Sequence, residues 1–397
     1  MSTTQKIKGG VCAPSGFKAS ALHAGIKPAN LDRDDLALIA SDGPAVAAAT
    51  FTTNQVKAAP VLVSMEHLRT KSTRAVVLNS GNANACTGKP GLAASKATAS
   101  GVAAALGISP SEVLVCSTGR IGVPMPMEKI TPRIPALVSG LSAKGSLSAA
   151  RAIMTSDSVP KEIAVEVLTA GQSFRIGGIA KGAGMIDPNM ATMLCVVTTD
   201  LALSKADLKR CLKLAVQQSF NRITIDGDMS TNDTVILLSS GRSTATVDLE
   251  AFQSALNLVT LDLATKIVLD GEGVSRSIEV IVRGAKSVAD ARAAAEAVAK
   301  SQLVKCAWAG GDPNWGRILD AVGYSGAKMD ANCVDIDYDS VPAVRDGMAA
   351  ATPFAKLQKV AAKKKFSVTV DLHVGAAEYS VLTTDLTEDY VKFNLGE

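Results

Sequence analysis

The segment Lys181-Gly182-Ala183-Gly184-Met185-Ile186-Asp187-Pro188-Asn189-Met190-Ala191-Thr192-Met193-Leu194 lies near the middle of a 397-residue chain. Its first half is loop: Gly182, Gly184 and Asn189 tolerate backbone angles that other residues avoid, and Pro188 stops regular structure. The continuation from Thr192 to Thr199 has the composition of a buried strand. The loop therefore delivers Thr192 to the first position of a core strand. A Thr freed at its own amine in that place carries a hydroxyl nucleophile and a general base on one residue. A glycine-rich turn that only leads into a strand has the same outline, and a Thr at a strand start is also an ordinary β-former.

Four further loops have residue types suited to chemistry. Ser117-Thr118-Gly119 follows an apolar strand, where a backbone N–H and a Thr hydroxyl can face a developing oxyanion; a plain turn reads the same way. Met154-Thr155-Ser156-Asp157-Ser158-Val159-Pro160-Lys161 is a polar loop, either one that hydrogen-bonds a small ligand or a turn. Asp270-Gly271-Glu272-Gly273 ends a long helix, with glycines suited to its C-terminal cap and Glu272 held off the helix surface. In the dense turn Gly310-Gly311-Asp312-Pro313-Asn314-Trp315-Gly316-Arg317, Asp312 is placed to cap the next helix with Pro313 at its first position.

The elements that must position these loops alternate along the chain. Asp35–Ser41 and Ala45–Thr52 read as two strands joined by Asp42-Gly43-Pro44, and Ala75–Leu78 and Glu112–Cys116 as short buried strands. Residues 162–168 and 173–179 form a hairpin around Gly171. Helices are expected at 92–106, 205–218, 249–269, 288–300 and from about Asn314, with strands at 234–239, 277–282, 368–374 and 379–384. This is an α+β layered pattern rather than a simple parallel doubly wound sheet. No linker marks a domain boundary, and 397 residues call for two lobes or one large layered domain.

Composition narrows the functional classes. Apolar residues make up 47% of the chain, aromatics only 4%, and the net charge is +4 with 41 basic and 37 acidic residues interspersed, which argues against a base-stacking nucleic-acid surface. Lys363-Lys364-Lys365 reads as a solvated helix end. There is no apolar run of membrane-spanning length, and the first residues lack the apolar core of a secretion signal, so a cytoplasmic protein without membrane contact is expected. Seven scattered cysteines with no C-x-x-C spacing read as buried reduced thiols. The three histidines, His23, His67 and His373, have no metal-ligand spacing, so no metal is expected. Two nucleotide motifs fail. Gly88-Lys89 is followed by Pro90 where a phosphate loop needs Ser or Thr, and Asp187 stands at the third glycine position after Gly182 and Gly184.

Taken together, the loops resemble those of the ornithine acetyltransferase family, the bifunctional glutamate N-acetyltransferase/amino-acid acetyltransferases of arginine biosynthesis. The matching segments run in order along nearly the whole chain: Asn79 to Asn84, Ser117 to Gly122, Ile153 to Asp157, Lys181 to Leu194, Asp270 to Gly273, Gly311 to Arg317 and Asp385 to Val391. The resemblance implies a layered α/β sandwich of the self-processing N-terminal-nucleophile type, akin to the β-aminopeptidases. It implies self-cleavage between Ala191 and Thr192, giving an α fragment of residues 1–191 and a β fragment of 192–397 that stay associated, commonly as α2β2. Thr192 is then the nucleophile, Thr118 and Gly119 form the oxyanion hole, and Thr155, Lys181, Thr192, Glu272 and Asn394 contact substrate. Family members usually end with a further Thr that contacts substrate. Here Asn394 is followed by Leu395-Gly396-Glu397, so that Thr is not carried over and another group, or a different affinity, is expected in its place.

The implied reaction is ping-pong acetyl transfer from N-acetylornithine to glutamate through acetyl-Thr192, with no bound cofactor. Lys181 and Glu272 suit the carboxylate and ammonium groups of amino acids, and which end each holds stays open. Whether acetyl-CoA also serves as donor is equally open. The rival reading is an amidase or aminopeptidase-type hydrolase of the same fold, with water as acceptor.

Overall fold

Residues 36–40 alternate between two buried faces, Leu36 and Leu38 on one and Ala37 and Ile39 on the other. A strand apolar on both faces must lie inside a covered sheet, and the architecture is built around it. The computed structural model describes residues 2–27, 33–187 and 193–395; Ala191 and Thr192, on which the cleavage and nucleophile assignments fall, lie outside the described residues. Among the described residues there are two compact units. One takes in residues up to 183, 193–221 and 229–267, and the other 184–187, 222–228 and 268–395. The units interleave along the chain, so no linker could have announced them.

The first unit holds a nine-stranded sheet. Its strands are β1 (Thr3–Ile7), β2 (Phe17–Leu22), β3 (Leu36–Phe51), β4 (Thr73–Asn82), β5 (Val113–Arg120), β6 (Lys161–Thr169), β7 (Gln172–Lys181), β8 (Leu194–Thr199) and β9 (Thr234–Ser239). They run in the order β1-β6-β7-β8-β9-β3-β4-β5, with β2 also paired to β3. β6 and β7 form the expected hairpin, with Glu166 opposite Arg175, and β8 and β9 run parallel with Leu194 opposite Thr234. One face packs Ile39, Leu78, Leu114, Ile153 and Val196 into a core; the other packs Leu38, Val77, Val115, Val102 and Ile134 beneath helices Gly88–Leu106 and Ile134–Ser139.

The expected strand pair at 35–52 is a correction. β3 is a single 16-residue strand whose register breaks between Ala40 and Ala45. Its first half pairs with β2 and β4 and its second half with β9, so different neighbours claim the two halves. Under those demands the chain bulges at Asp42-Gly43-Pro44 instead of reversing. Helix Leu249–Leu269 is long and apolar enough to cross a membrane. Phe252, Leu256, Val259 and Leu263 are nonetheless fully buried, and Asp262 pairs with both Lys6 and Lys266 at 2.7 Å, so this is a helix packed into the core on one side, with Leu258, Leu261 and Leu269 exposed on the other.

The second unit holds a six-stranded sheet in the order β13-β12-β11-β14-β10-β15. These strands are β10 (Ser277–Ala285), β11 (Asp335–Tyr338), β12 (Val341–Arg345), β13 (Met348–Ala349), β14 (Lys365–Asp371) and β15 (Ala377–Thr384). Val280, Val282, Val368 and Val381 pack against Ala294, Val298, Trp308 and Ile318 of its helices. The helix Trp315–Tyr324 is capped by Asn314, whose side chain accepts the Arg317 N–H, and not by Asp312. The thiol expectation also needs correction: Cys12, Cys116, Cys195 and Cys211 are buried, Cys333 is half-buried, and Cys86 and Cys306 are exposed.

Candidate active site

β7 ends at Lys181, and the loop that leads to β6 carries Thr155 and Asp157, so hairpin pairing brings the three side chains to one end of the sheet. The Lys181 Nζ donates to Thr155 Oγ1 at 2.7 Å. Asp157 Oδ1 accepts the Lys161 ammonium at 2.6 Å and the Gly182 N–H at 2.7 Å, and its Oδ2 lies 3.7 Å from Lys181 Nζ while accepting the Thr155 N–H at 3.0 Å. Both Asp157 and Lys161 side chains are fully buried. Burial alone would raise the Asp157 carboxyl, but Lys181, Lys161 and the Gly182 N–H together bring it down to about 2. Asp157 thus remains an anion. It fixes a buried cation, Lys181, at the mouth of the glycine loop.

The Thr118-Gly119 pair sits at the end of β5, paired in parallel with Ser80-Gly81 of β4. Thr118 is buried. Gly119 has φ +129°, and a Cβ there would fall 2.3 Å from the Gly81 carbonyl carbon, so the two backbones approach in a way that only glycine permits. The register between the strands breaks at Gly81 and Asn82. Polar side chains hold this irregular end: Asn79 Nδ2 donates to the Asn82 carbonyl, Ser117 Oγ to Asn79 Oδ1, and Asn232 Nδ2 to the carbonyls of Ala83 and Ser117. A strand end frozen in a non-repeating conformation is what a preorganised N–H donor requires.

In the second unit, Asn394 Nδ2 donates to Glu272 Oε2 at 3.1 Å and to the Tyr390 carbonyl at 3.0 Å. Gly184 abuts the same carboxylate: a Cβ on it would lie 2.5 Å from Glu272 Cδ and both carboxylate oxygens. The chain at 185–187 is tied by Asp226, which accepts the Met185 and Ile186 N–H groups at 2.6 and 2.8 Å, and by Lys300, which pairs with Asp187 at 2.8 Å. Burial lifts the Asp226 carboxyl to about 6 against those N–H donors.

Thus Thr155 and Lys181 meet in one unit, where Thr118 and Gly119 also lie, and Glu272 and Asn394 meet in the other. Asp226, Asn232 and Asp233 are not among the residues singled out in the sequence, where Asp157 stands only as a member of its polar loop. Ser230-Thr231-Asn232-Asp233, a polar run leading directly into an apolar strand, was the signal available for Asn232 and Asp233.

Residues 18–396 match the ArgJ family. The arginine biosynthesis bifunctional protein ArgJ of Geobacter sulfurreducens is 51% identical over 386 residues, covering 96% of this chain and 98% of that protein. The glutamate N-acetyltransferase of Methanocaldococcus jannaschii is 44% identical over 402 residues, covering 98% of each. Among solved structures, a chain of ornithine acetyltransferase complexed with ornithine from Mycobacterium tuberculosis is 44% identical, covers 48% of this chain and all of its own length, and aligns with a TM-score of 0.43. The chain belongs to the ArgJ family.

Proposed function

We propose that this chain, an acyltransferase by family, moves acetyl from N2-acetyl-L-ornithine to L-glutamate through an ester on Thr192, after cutting itself between Ala191 and Thr192. The observation that carries the reading is the buried Lys181–Thr155 contact, fixed by Asp157, at the start of the very loop that ends in Thr192. A buried cation there is a counter-charge for an amino-acid carboxylate, and Glu272, oriented by Asn394, is one for an ammonium.

In this reading the Thr192 amine takes the hydroxyl proton as Oγ attacks the acetyl carbonyl. Charge on the acetyl oxygen is met by Thr118 and the Gly119 N–H. The C–N bond breaks, and ornithine leaves with the proton. The glutamate amine then attacks the ester, N-acetylglutamate departs, and the hydroxyl is restored. The site must disfavour water, or it would only deacetylate. No resident cofactor or metal takes part. Acetyl-CoA is the candidate second donor, and the working enzyme is a cytoplasmic assembly of two α and two β fragments.

The test supplies N-acetylornithine with and without glutamate. N-acetylglutamate formed in step with ornithine supports transfer. Free acetate at the same rate with or without glutamate identifies a hydrolase instead. Replacing N-acetylornithine by acetyl-CoA then tells whether a second donor is used.

A further inference from the structure

Lys27, Lys161 and Lys181 are the buried lysines among the described residues of the first unit. Lys161 and Lys181 both meet the Asp157 carboxylate. Lys27 is only 6% exposed, yet its ammonium makes no ion pair with a described residue; it donates to a neutral acceptor, the Asp34 carbonyl, at 3.0 Å. The adjacent Asp35 carboxylate is occupied by backbone. Its Oδ1 accepts the Ala24 N–H at 2.6 Å, and its Oδ2 accepts those of Ile26 at 2.6 Å and of Lys27 itself at 3.1 Å. The Lys27 ammonium has therefore lost water without gaining an anion. Its position is next to the oxyanion strand end. A Cβ on Gly81 would fall 2.9 Å from Lys27 N and 3.0 Å from Lys27 Cγ, and Gly81 is the residue whose backbone abuts Gly119. The Asp35 carbonyl accepts the Ser80 N–H at 2.9 Å, so the carboxylate that fixes residues 24–27 is itself tied to the end of β4.

We propose that Lys27 is a specificity-determining residue that receives the side-chain carboxylate of the glutamate acceptor, an inference that rests on the transferase reading. Both amino acids of that reaction carry an α-carboxylate, for which Lys181 is the counter-charge. Their side chains end differently, ornithine in an ammonium and glutamate in a second carboxylate. One group of fixed charge cannot serve both ends, so the acceptor needs a cation of its own. Glutamate is short, and its amine must reach an acetyl group held at Gly119, so that cation must stand beside the same strand end. Lys27 does, and unlike Lys161 and Lys181 it has no carboxylate of the protein to leave. Burial pushes its ammonium below the usual range; Asp35 and Asp157 act against this, and Arg33 and Lys181 act with it. Lys27 thus lies within electrostatic reach of Asp157 and Lys181, and an incoming carboxylate supplies the anion it lacks.

The test assays purified wild type, K27M and K27Q with N-acetylornithine as donor and glutamate, glutamine or isotope-labelled ornithine as acceptor. K27M keeps the stem and removes the charge, and K27Q does so with a polar end. Exchange of labelled ornithine into N-acetylornithine needs no side-chain carboxylate. Both variants should raise KM for glutamate about ten- to a hundredfold, the range of a hydrogen bond to a charged group, and KM for ornithine far less. Wild type should prefer glutamate to glutamine by a similar margin, and the variants should prefer neither. Their Tm should hold or rise, because an unpaired buried charge has been removed. Unchanged KM for glutamate in the variants, or equal use of glutamate and glutamine by wild type, overturns the proposal. Equal losses with glutamate and ornithine together with a lowered Tm make Lys27 a structural group and overturn it as well. A wild type that exchanges ornithine or releases acetate but forms no N-acetylglutamate overturns the transferase reading and the proposal with it.

Discussion

Asp157 and Lys181, separated by 24 positions in sequence, lie 3.7 Å apart at one end of the sheet, and Lys161 occupies the other oxygen of the same carboxylate at 2.6 Å. One anion thus neutralises two buried ammonium groups. Asp157→Ala leaves both without it and is expected to cost about 3–5 kcal/mol, the usual loss when one partner of a buried pair is removed. Urea unfolding at neutral pH measures it. Because the carboxyl is depressed to about 2, its contribution is complete above the ordinary Asp range and is lost as pH falls from about 4 through 2. Wild type should lose stability in that window, and the variant should lack that share of the loss.

Thr118→Ala should lower kcat about a hundredfold, near 3 kcal/mol, and leave KM nearly unchanged, as expected for a donor to a charge that exists only in the transition state. Steady-state kinetics with N-acetylornithine decide this. A change confined to KM would make Thr118 a ground-state contact.

Gly119→Ala is a different perturbation. The added carbon meets backbone at 2.3 Å at φ +129°, and no rotamer relieves it. The end of β5 must move away from β4, so turnover should fall further than in Thr118→Ala, with a lowered Tm by calorimetry. An active variant with unchanged Tm would refute the role assigned to this close approach.

Gly184→Ala meets the far end of a side chain instead, the Glu272 carboxylate at 2.5 Å. Displacing it breaks the Asn394–Glu272 hydrogen bond. KM should rise about tenfold, about 1.4 kcal/mol, close to the low end of what a hydrogen bond to a charged group contributes. Glu272→Gln should raise KM in the same direction.

Much of this arrangement could be read from residues alone. Helices 205–218 and 288–300 agree with the structure because each combines a clear apolar period with a clean stop, helix 249–269 because its apolar run is longer than a strand, and strand 234–239 because a short apolar run is bounded by polar residues. The loops at 118–119, 155–157 and 270–273 were found because glycine and small polar residues are concentrated there. β1 and β11 are four or five residues with few apolar side chains and carry no strand signal until a neighbouring strand supplies the hydrogen bonds, while in β12 it is Pro342 that speaks against a strand. The single strand at 36–51 was hidden for a related reason, since Asp42-Gly43-Pro44 spells a turn locally and only the separate partners of its two halves keep it extended. What Asp157 and Asp233 hold is not legible in the sequence, because a lone Asp says nothing of its burial and the partners lie 24 and 40 positions away.

The whole mechanism depends on Thr192 becoming an N-terminus. Intact-mass spectrometry of the purified protein, beside its Thr192→Ala variant, tests it directly. Two associated fragments are expected, 1–191 and 192–397, each about half of the 40.8 kDa chain and the second beginning at Thr192, with the variant left whole. A single uncut mass in the wild-type protein, or a cut Thr192→Ala chain, would contradict it.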